Sequence, residues 1–258
     1  MFFNELDLLE VRLNELASVV DLFVLVECNI THSGQPKPYY FDEHKTEYRF
    51  RKFRSKIVHY KVDDLPSLSD YPNHWLRENA HRNRIQNAIE EHVLLDSDII
   101  LISDADELPR ASSIDKLRYE GLDKPIALMQ AIHYYWLNCY NHSEWRGTVA
   151  CPYRLFKQHQ PQFFRDTKDY MSCIADAGWH FAYLGGEDKI KQKLASFAHQ
   201  EYNLDVFTSS EYIQDKLTSG TDFYNPENQL SFREIDTSYP LHIRQNIGRF
   251  QHLINQKQ

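Results

Sequence analysis

The segment "ILISDADELPR" (100–110) sets three carboxylates, Asp104, Asp106 and Glu107, within four positions at the end of the chain's most apolar strand-like run. Charges crowded in this way repel one another, so the arrangement calls for a compensating partner. Two acids separated by one residue can turn toward a common hard cation, which removes the repulsion. Mg²⁺ or Mn²⁺ suits such a pair, because these ions keep water and take substrate phosphates as further ligands. The implied chemistry is the handling of a diphosphate, whose departure the ion assists as a Lewis acid. A helix-loop-helix calcium site would need Gly at its sixth position and an oxygen ligand at its fifth, where Pro109 and Leu108 stand. The sequence also lacks a Gly-rich Lys-Ser/Thr phosphate loop.

Such acids need elements that hold them. Leu6, Leu9, Leu13 and Leu16 recur at helical spacing, predicting an amphipathic helix over 6–19 with Asn4 as its cap. An apolar, β-branched run over 19–28 predicts a strand, and a Gly/Pro-bearing loop over 29–38 follows. A second strand over 56–62, a long helix over 73–95 and a third strand over 99–103 complete the order of a parallel sheet covered by helices. Beyond residue 110 the character changes. Aromatic-rich runs over 126–137 and 147–157 flank a turn-like stretch, 138–144, which predicts a long antiparallel hairpin. A strand over 179–184, a Gly185-Gly186 turn and a helix over 187–197 with an acidic first turn come next. No linker divides the chain, so the expected fold is a single α/β domain over 1–258. It is a Rossmann-like mixed sheet flanked by helices, with a first half over 1–110 and an antiparallel, aromatic-rich half over 111–258.

In an open parallel sheet, ligands bind at the carboxyl ends of the strands, where Asp104 and Asp106 fall. The preceding helix runs antiparallel to the third strand. From Arg82 to Asp96 it rises about 21 Å, and the strand path from Asp98 to Asp104 covers about 20 Å. Arg82 is therefore expected level with Asp104. Ile85, Ile89 and Val93 form the helix's inward row, and its backward extension reaches Arg82 and Glu78. A simpler reading, with Glu78 and Arg82 as an (i, i+4) surface pair and the aspartates capping a helix near Pro109, explains one acid and not three. Glu107 should turn away from Asp106, to orient Arg82 or cap the following turn. With no cation bound, the acid loop should be held loosely.

The 258 residues are 42% hydrophobic and 14% aromatic, which suffices for a full core. A net charge of -8 opposes binding to a phosphate backbone, so nucleic acid is not an expected partner. No apolar run approaches the roughly 20 residues of a membrane helix, and no signal-peptide pattern opens the chain. A cytoplasmic location is expected. Four cysteines without CxxC spacing read as free thiols.

The segments "MFFNELDLLEVRLNEL", "FVLVECNITHSGQPKPYYF", "ISDADELPR" and "GWHFAYLGG", in this order, resemble glycosyltransferase family 17. The resemblance covers about residues 1–200 and continues weakly through "YPLHIRQN"; Arg82-Asn83 behind an Asp-x-Asp likewise resembles nucleotide-sugar glycosyltransferases of the A-type fold. It implies inverting transfer of N-acetylglucosamine from UDP-N-acetylglucosamine, with Mn²⁺ or Mg²⁺, to an oligosaccharide or glycoconjugate hydroxyl. The family's founding member makes a β-1,4 bond to a core mannose. Carried onto this chain, Asp106 ligates the metal and Asp104 contacts ribose or metal-bound water. Glu27 and Asn29 lie near the uridine, Arg82 near the diphosphate or holding Asp104, and Asn83 among the nucleotide-sugar contacts, which makes 1–110 the nucleotide-binding half and 111–258 the acceptor-side half.

Inversion in one displacement needs a general base on the acceptor hydroxyl. Glu187, at a helix start, leads, and Asp188, Asp176 and Glu144 compete with it. His180 is a possible third metal ligand, with His199 and His242 as substitutes. Trp179, Trp145, Tyr135 and Tyr134 offer faces on which an acceptor sugar could stack, although core packing is the default for most of them. Two rival classes keep the acid pair: a metal-dependent phosphohydrolase and a non-catalytic glycan-binding relative. Leu108 weakens the first, since aspartyl-phosphate phosphatases place Thr or Val there.

Overall fold

The computed structural model describes residues 1–67 and 73–256. Helix α1 (Leu6–Leu16) buries Leu8, Leu9, Val11, Leu13 and Leu16. Asn4 does not cap it: the Asn4 amide donates to Gln192 at 2.7 Å, while the Glu5 carboxylate accepts the Phe3 and Asn4 backbone N–H groups. Strand β1 (Phe23–Cys28) begins later than expected, because Val19 and Val20 still donate to the Leu16 carbonyl in a tight turn. It pairs in parallel with β2 (Ile57–Val62). Helix α2 (His74–Glu90) is capped by Asn73, whose side chain accepts from Trp75 N at 3.0 Å. Its inward row ends at Ile89. Val93 lies past the helix and is fully exposed.

Strand β3 (Ile99–Ile102) departs from the expected parallel order, because its ladder partner is antiparallel. After the acid loop comes β4 (Glu107–Pro109), then α3 (Ala111–Glu120), whose N-cap is Arg110; the aspartates cap nothing. Strand β5 (Ile126–Tyr134) turns at 135–138 into β6 (Cys139–Pro152). The stretch expected as a turn is therefore strand, and its polar residues are accommodated by a bulge. Ala131 faces Glu144 and Ile132 faces Asn141, leaving two extra residues on β6. Asn141 Oδ1 accepts the Ser143 N–H at 3.0 Å, so turn chemistry survives inside the ladder. The chain continues through α4 (Pro161–Thr167), β7 (Cys173–Ile174), β8 (Gly178–Ala182), α5 (Gly186–Ser196), α6 (Ser210–Ser219) and β9 (Ser231–Phe232).

The large sheet runs in the order β3-β6-β5-β8-β4, with β7 against β5 and β9 against β6. The result is a mixed α/β architecture with helices on both sides of mixed sheets, in which parallel pairing joins β1 to β2 and β5 to β7 and β8. Gly178 is obligatory where β8 meets β4. Its φ is 151°, and a Cβ there would lie 2.2 Å from the Leu108 carbonyl oxygen. This close approach seats the strand that follows the acid loop. All four cysteines are free thiols, three of them buried. No helix among the described residues is long and apolar enough to cross a membrane.

Candidate active site

The acid loop, 103–106, leaves β3 and returns as β4, held between the carboxyl edge of the sheet and four basic side chains, Arg12, Arg82, Arg165 and Lys193. Glu107 N donates to the Asp104 carbonyl at 3.2 Å and Phe181 N to the Asp106 carbonyl at 2.9 Å, so both ends of the loop are pinned by backbone bonds. The expected level of Arg82 is observed. Its Nη2 lies 3.1 Å from Asp104 Oδ1 and 3.0 Å from Glu78 Oε1, and its Nη1 donates to Gln162 Oε1 at 2.5 Å. Arg165 of α4 takes the other Asp104 oxygen at 3.0 Å and reaches Glu107 Oε1 at 2.5 Å. Burial alone would raise the Asp104 carboxyl. Arg82 and then Arg165 overcome this and hold it well below the usual carboxylate range.

Asp106 has a separate partner. Lys193 Nζ of α5 lies 2.8 Å from its Oδ2, and His180 Nε2 lies 3.6 Å from its Oδ1. Burial pushes the Asp106 carboxyl up, but Lys193 and then His180 outweigh it and depress the pKa. Burial acts on Lys193 in the opposite sense, and Asp106 outweighs it, leaving the ammonium more firmly protonated than a free lysine.

Glu107 does turn away from Asp106, but its partner is Arg165 rather than Arg82. It is 1% exposed, accepts Trp145 Nε1 at 2.8 Å and, through its second oxygen, the Asp104 N–H at 3.1 Å. Arg12 donates to the Asp104 carbonyl at 2.7 Å and to the Glu107 carbonyl. Against the expectation of a loosely held loop, four cationic side chains and an indole contact the loop and the Glu107 that follows it, so the protein supplies counter-charges of its own.

Other expected residues fall differently. Asn83 does not reach the acids; it bonds Gln160 at 2.8 Å and the Gln162 N–H at 2.9 Å, which docks α4 and so positions Arg165. Glu27 is fully buried, and its carboxylate is taken by His59 at 2.8 Å, Lys37 at 3.4 Å and Phe41 N at 3.2 Å. Asn29 lies one residue past β1, with its Oδ1 buried and without a partner among the described residues. Glu187 faces α6: it bonds Lys191 at 2.6 Å and Gln214 at 2.8 Å, about 120° around the helix from Lys193. These bonds, Gln214 first, lower its pKa to about 2. Asp188 and Glu144 are exposed, and Asp176 pairs with Arg110 at 2.7 Å.

Trp179 and Tyr135, expected to meet an acceptor sugar, are core residues at 3% and 0% exposure. The Trp179 N–H is spent on the Ser238 carbonyl and the Tyr135 hydroxyl on the Thr221 carbonyl. Trp145 is at the site, stacked on His180 with ring centroids 5.2 Å apart, its other contacts being Lys168 and Arg165. Tyr134 is half-buried, tilted against Tyr135 with ring centroids 5.7 Å apart and edge-on to Tyr183 at 6.1 Å. His199 pairs with Glu201 and His242 with Glu10, so neither substitutes for His180.

Among the described residues no group of three His, Cys, Asp or Glu side chains could hold a metal by itself. Mg²⁺ and Mn²⁺ do not need one, since they bind through one or two carboxylates plus water and substrate phosphates. Asp106 fits that requirement. His180 fits less well, because its Nδ1 is buried without the acceptor that orients a ligating imidazole.

Arg165 and Lys193 were missed from the sequence although a signal for them exists. Each sits on the inward stripe of its helix, Arg165 beside Phe164 and Pro161, and Lys193 between Ile190 and Leu194. A cation in an apolar stripe marks a buried counter-charge.

The β-1,4-mannosyl-glycoprotein 4-β-N-acetylglucosaminyltransferases of Homo sapiens and Rattus norvegicus are each 34% identical to this chain over 133 residues, covering 48% of it. The Mus musculus enzyme of the same name is 33% identical over the same length. The match spans 24% of the human protein and 23% of the rat and mouse proteins, so most of their length has no counterpart here. No solved structure matches. The model of glycosyltransferase family 17 matches residues 1–247, from α1 through the acid loop and its basic braces to the segment after β9, and the chain belongs to that family.

Proposed function

We propose that this chain is an inverting glycosyltransferase that moves N-acetylglucosamine from UDP-N-acetylglucosamine to a hydroxyl of a mannose-bearing glycan. The carrying observation is the cage at the carboxyl edge of the sheet, where Asp104 and Asp106 are interleaved with Arg82, Arg165 and Lys193. Alternating fixed charges of this kind complement a diphosphate and a divalent ion together. The family and the names of the relatives support the transferred sugar and the mannosyl-glycoprotein class of acceptor. An A-type nucleotide-sugar fold agrees with acids placed at the end of β3.

Arg82 and Arg165 fix Asp104, so its carboxylate presents one orientation to a ribose or to water. Lys193, on a helix that can shift its terminal atoms by rotamer change, exchanges Asp106 for a phosphate oxygen when the donor enters. Asp106 is then free to hold Mn²⁺ or Mg²⁺. That ion, when bound, supplies Lewis-acid stabilisation of charge on the leaving diphosphate. Trp145, stacked on His180, shields the side of Asp106 from water.

The test uses purified protein with UDP-N-acetylglucosamine and mannose-terminated oligosaccharides. Product formation and UDP release that require Mn²⁺ or Mg²⁺ and vanish in Asp106→Ala support the reading. Phosphate release from simple monoesters would favour a phosphohydrolase instead. Metal-dependent UDP binding with no turnover on any acceptor would leave a glycan-binding protein.

A further inference from the structure

A second aromatic group stands one side chain away from the acid loop. Lys193, whose Nζ pairs with Asp106 at 2.8 Å, also lies over the Tyr183 ring, 4.8 Å from its centroid. Tyr183 is buried and stacked on Phe223 with centroids 5.5 Å apart, and its hydroxyl shares a hydrogen bond with that of Tyr224. Tyr224, by contrast, is 39% exposed. Tyr202 stands edge-on to it at 4.6 Å and is itself half-buried, so the two rings form a corner that reaches solvent.

Both ends of this exposed ring are fixed. On the hydroxyl side, Tyr183 holds φ at 60°, a left-handed conformation that a bulky residue keeps only where its surroundings impose it. Burial of the Tyr224 hydroxyl, and then Tyr134 and Asp106, raise its pKa, which sets that end of the ring toward the acid loop. On the backbone side, the Asp222 carboxylate accepts the Tyr224 N–H at 2.8 Å, the Asn225 N–H at 3.1 Å and Asn141 Nδ2 at 2.8 Å. Asp222 and Asn141 are both buried. Burying a carboxylate is costly unless donors meet it, and two of these three donors belong to the turn that presents Tyr224. Asn141 stands at the bulge of β6, so the bulge aims an amide at the carboxylate that holds this turn. An exposed ring anchored in this way is preorganised for a ligand, since little freedom is left to lose on binding.

We infer that Tyr224, cornered by Tyr202, is the platform on which the acceptor's pyranose ring lies, with its apolar C–H face against the aromatic ring. The inference rests on the glycosyltransferase reading above and names its acceptor subsite. On that reading the donor sugar is tethered to a diphosphate at Lys193 and Asp106. Tyr224 lies one aromatic ring further out and meets solvent, so the sugar that reaches it is the one that enters from outside.

Steady-state transfer from UDP-N-acetylglucosamine to a mannose-terminated oligosaccharide, with Mn²⁺ present, is compared for the unmodified chain, Tyr224→Leu and Tyr224→Phe. Leucine keeps apolar bulk without a flat face, whereas phenylalanine keeps the face and loses the hydroxyl pair. Tyr224→Leu is expected to raise the acceptor KM about tenfold and to leave the donor KM within about twofold, while Tyr224→Phe keeps both within about threefold. An acceptor KM that Tyr224→Leu leaves unchanged overturns the subsite alone, and so does an equal rise in the donor KM. Equal impairment by Phe and Leu also overturns it, because the hydroxyl bond rather than the ring face would then carry the effect. Absence of transfer by the unmodified chain to any mannose-terminated acceptor overturns the functional reading and the subsite with it.

Discussion

Lys193 Nζ lies 2.8 Å from Asp106 Oδ2, tying the last turn of α5 to the loop after β3. This pair neutralises two charges that the proposed donor would use separately. On that proposal the ammonium takes a phosphate oxygen and the carboxylate a cation. Lys193→Met should therefore weaken UDP binding by about tenfold to a hundredfold, the range of one lost charge-assisted hydrogen bond. Calorimetric titration of UDP with Mn²⁺ present checks this, and a change below twofold would remove Lys193 from donor binding.

Glu107 and Arg165 form an ion pair at 2.5 Å with the carboxylate side chain 1% exposed. Removing one partner of a buried pair leaves an uncompensated charge, which typically costs about 3–5 kcal/mol. Glu107→Gln keeps some hydrogen bonding, so a loss of about 2–4 kcal/mol and a fall in Tm of about 5–15 °C are expected. The double change Glu107→Gln with Arg165→Met should recover part of that loss. Thermal unfolding of the four proteins closes the cycle; strictly additive losses would show that the pair is not coupled.

The positions of α1, β2, α2 and β3 were legible because each shows an unbroken hydrophobic period, and helix rise against strand rise was enough to bring Arg82 to Asp104. Sheet connectivity was not legible. Strand β3 looked like the third member of a parallel set, and nothing local in Ile99–Ile102 reveals that its ladder partner is Val149–Pro152, some fifty residues on. The polar stretch 138–144 read as a turn; Asn141 does make a turn-like bond to Ser143, and only the bulge keeps it in the strand. In the site, the acids were visible as an anomaly, three charges at the end of an apolar run. Two of their counter-charges were not, since Arg165 and Lys193 come from helices 58 to 87 residues away along the chain. Trp179 shows the converse error: an aromatic beside a histidine in the same segment was read as a sugar platform, whereas alternation along β8 sends Trp179 into the core and His180 to Asp106.

Away from the site, Glu10 anchors α1 to the C-terminal segment through His242 at 3.1 Å and Arg249 at 2.6 Å. Burial would raise this carboxyl, but the His242 and Arg249 hydrogen bonds prevail and lower its pKa from 4.5 to about 2. The folded value lies below the unfolded one, so the stabilisation is fully present above about pH 4.5 and is lost as pH falls toward 2. It amounts to at most about 3 kcal/mol. Glu10→Gln should accordingly lower stability at pH 6 and flatten the slope of stability against pH between 4.5 and 2. Urea unfolding across that range measures the slope, and parallel curves for the two proteins would show that Glu10 does not govern the acid limb.

Glu187 bears on where the acceptor is deprotonated. A general base works best with a pKa near the operating pH and within hydrogen-bond reach of the proton it takes. Glu187 has neither property in this fold: Gln214 and Lys191 hold its carboxylate, its pKa is lowered to about 2, and the helix turns it toward α6 rather than toward Asp106. Glu187→Gln should therefore leave the rate of transfer within about threefold of the unmodified chain. Its effect should fall instead on the α5–α6 contact, as a small drop in Tm, because the Lys191 ion pair is lost. Steady-state kinetics with saturating donor separates the outcomes. A hundredfold loss of kcat with unchanged donor affinity and Tm would restore Glu187 as the base and require α5 to rotate on acceptor binding.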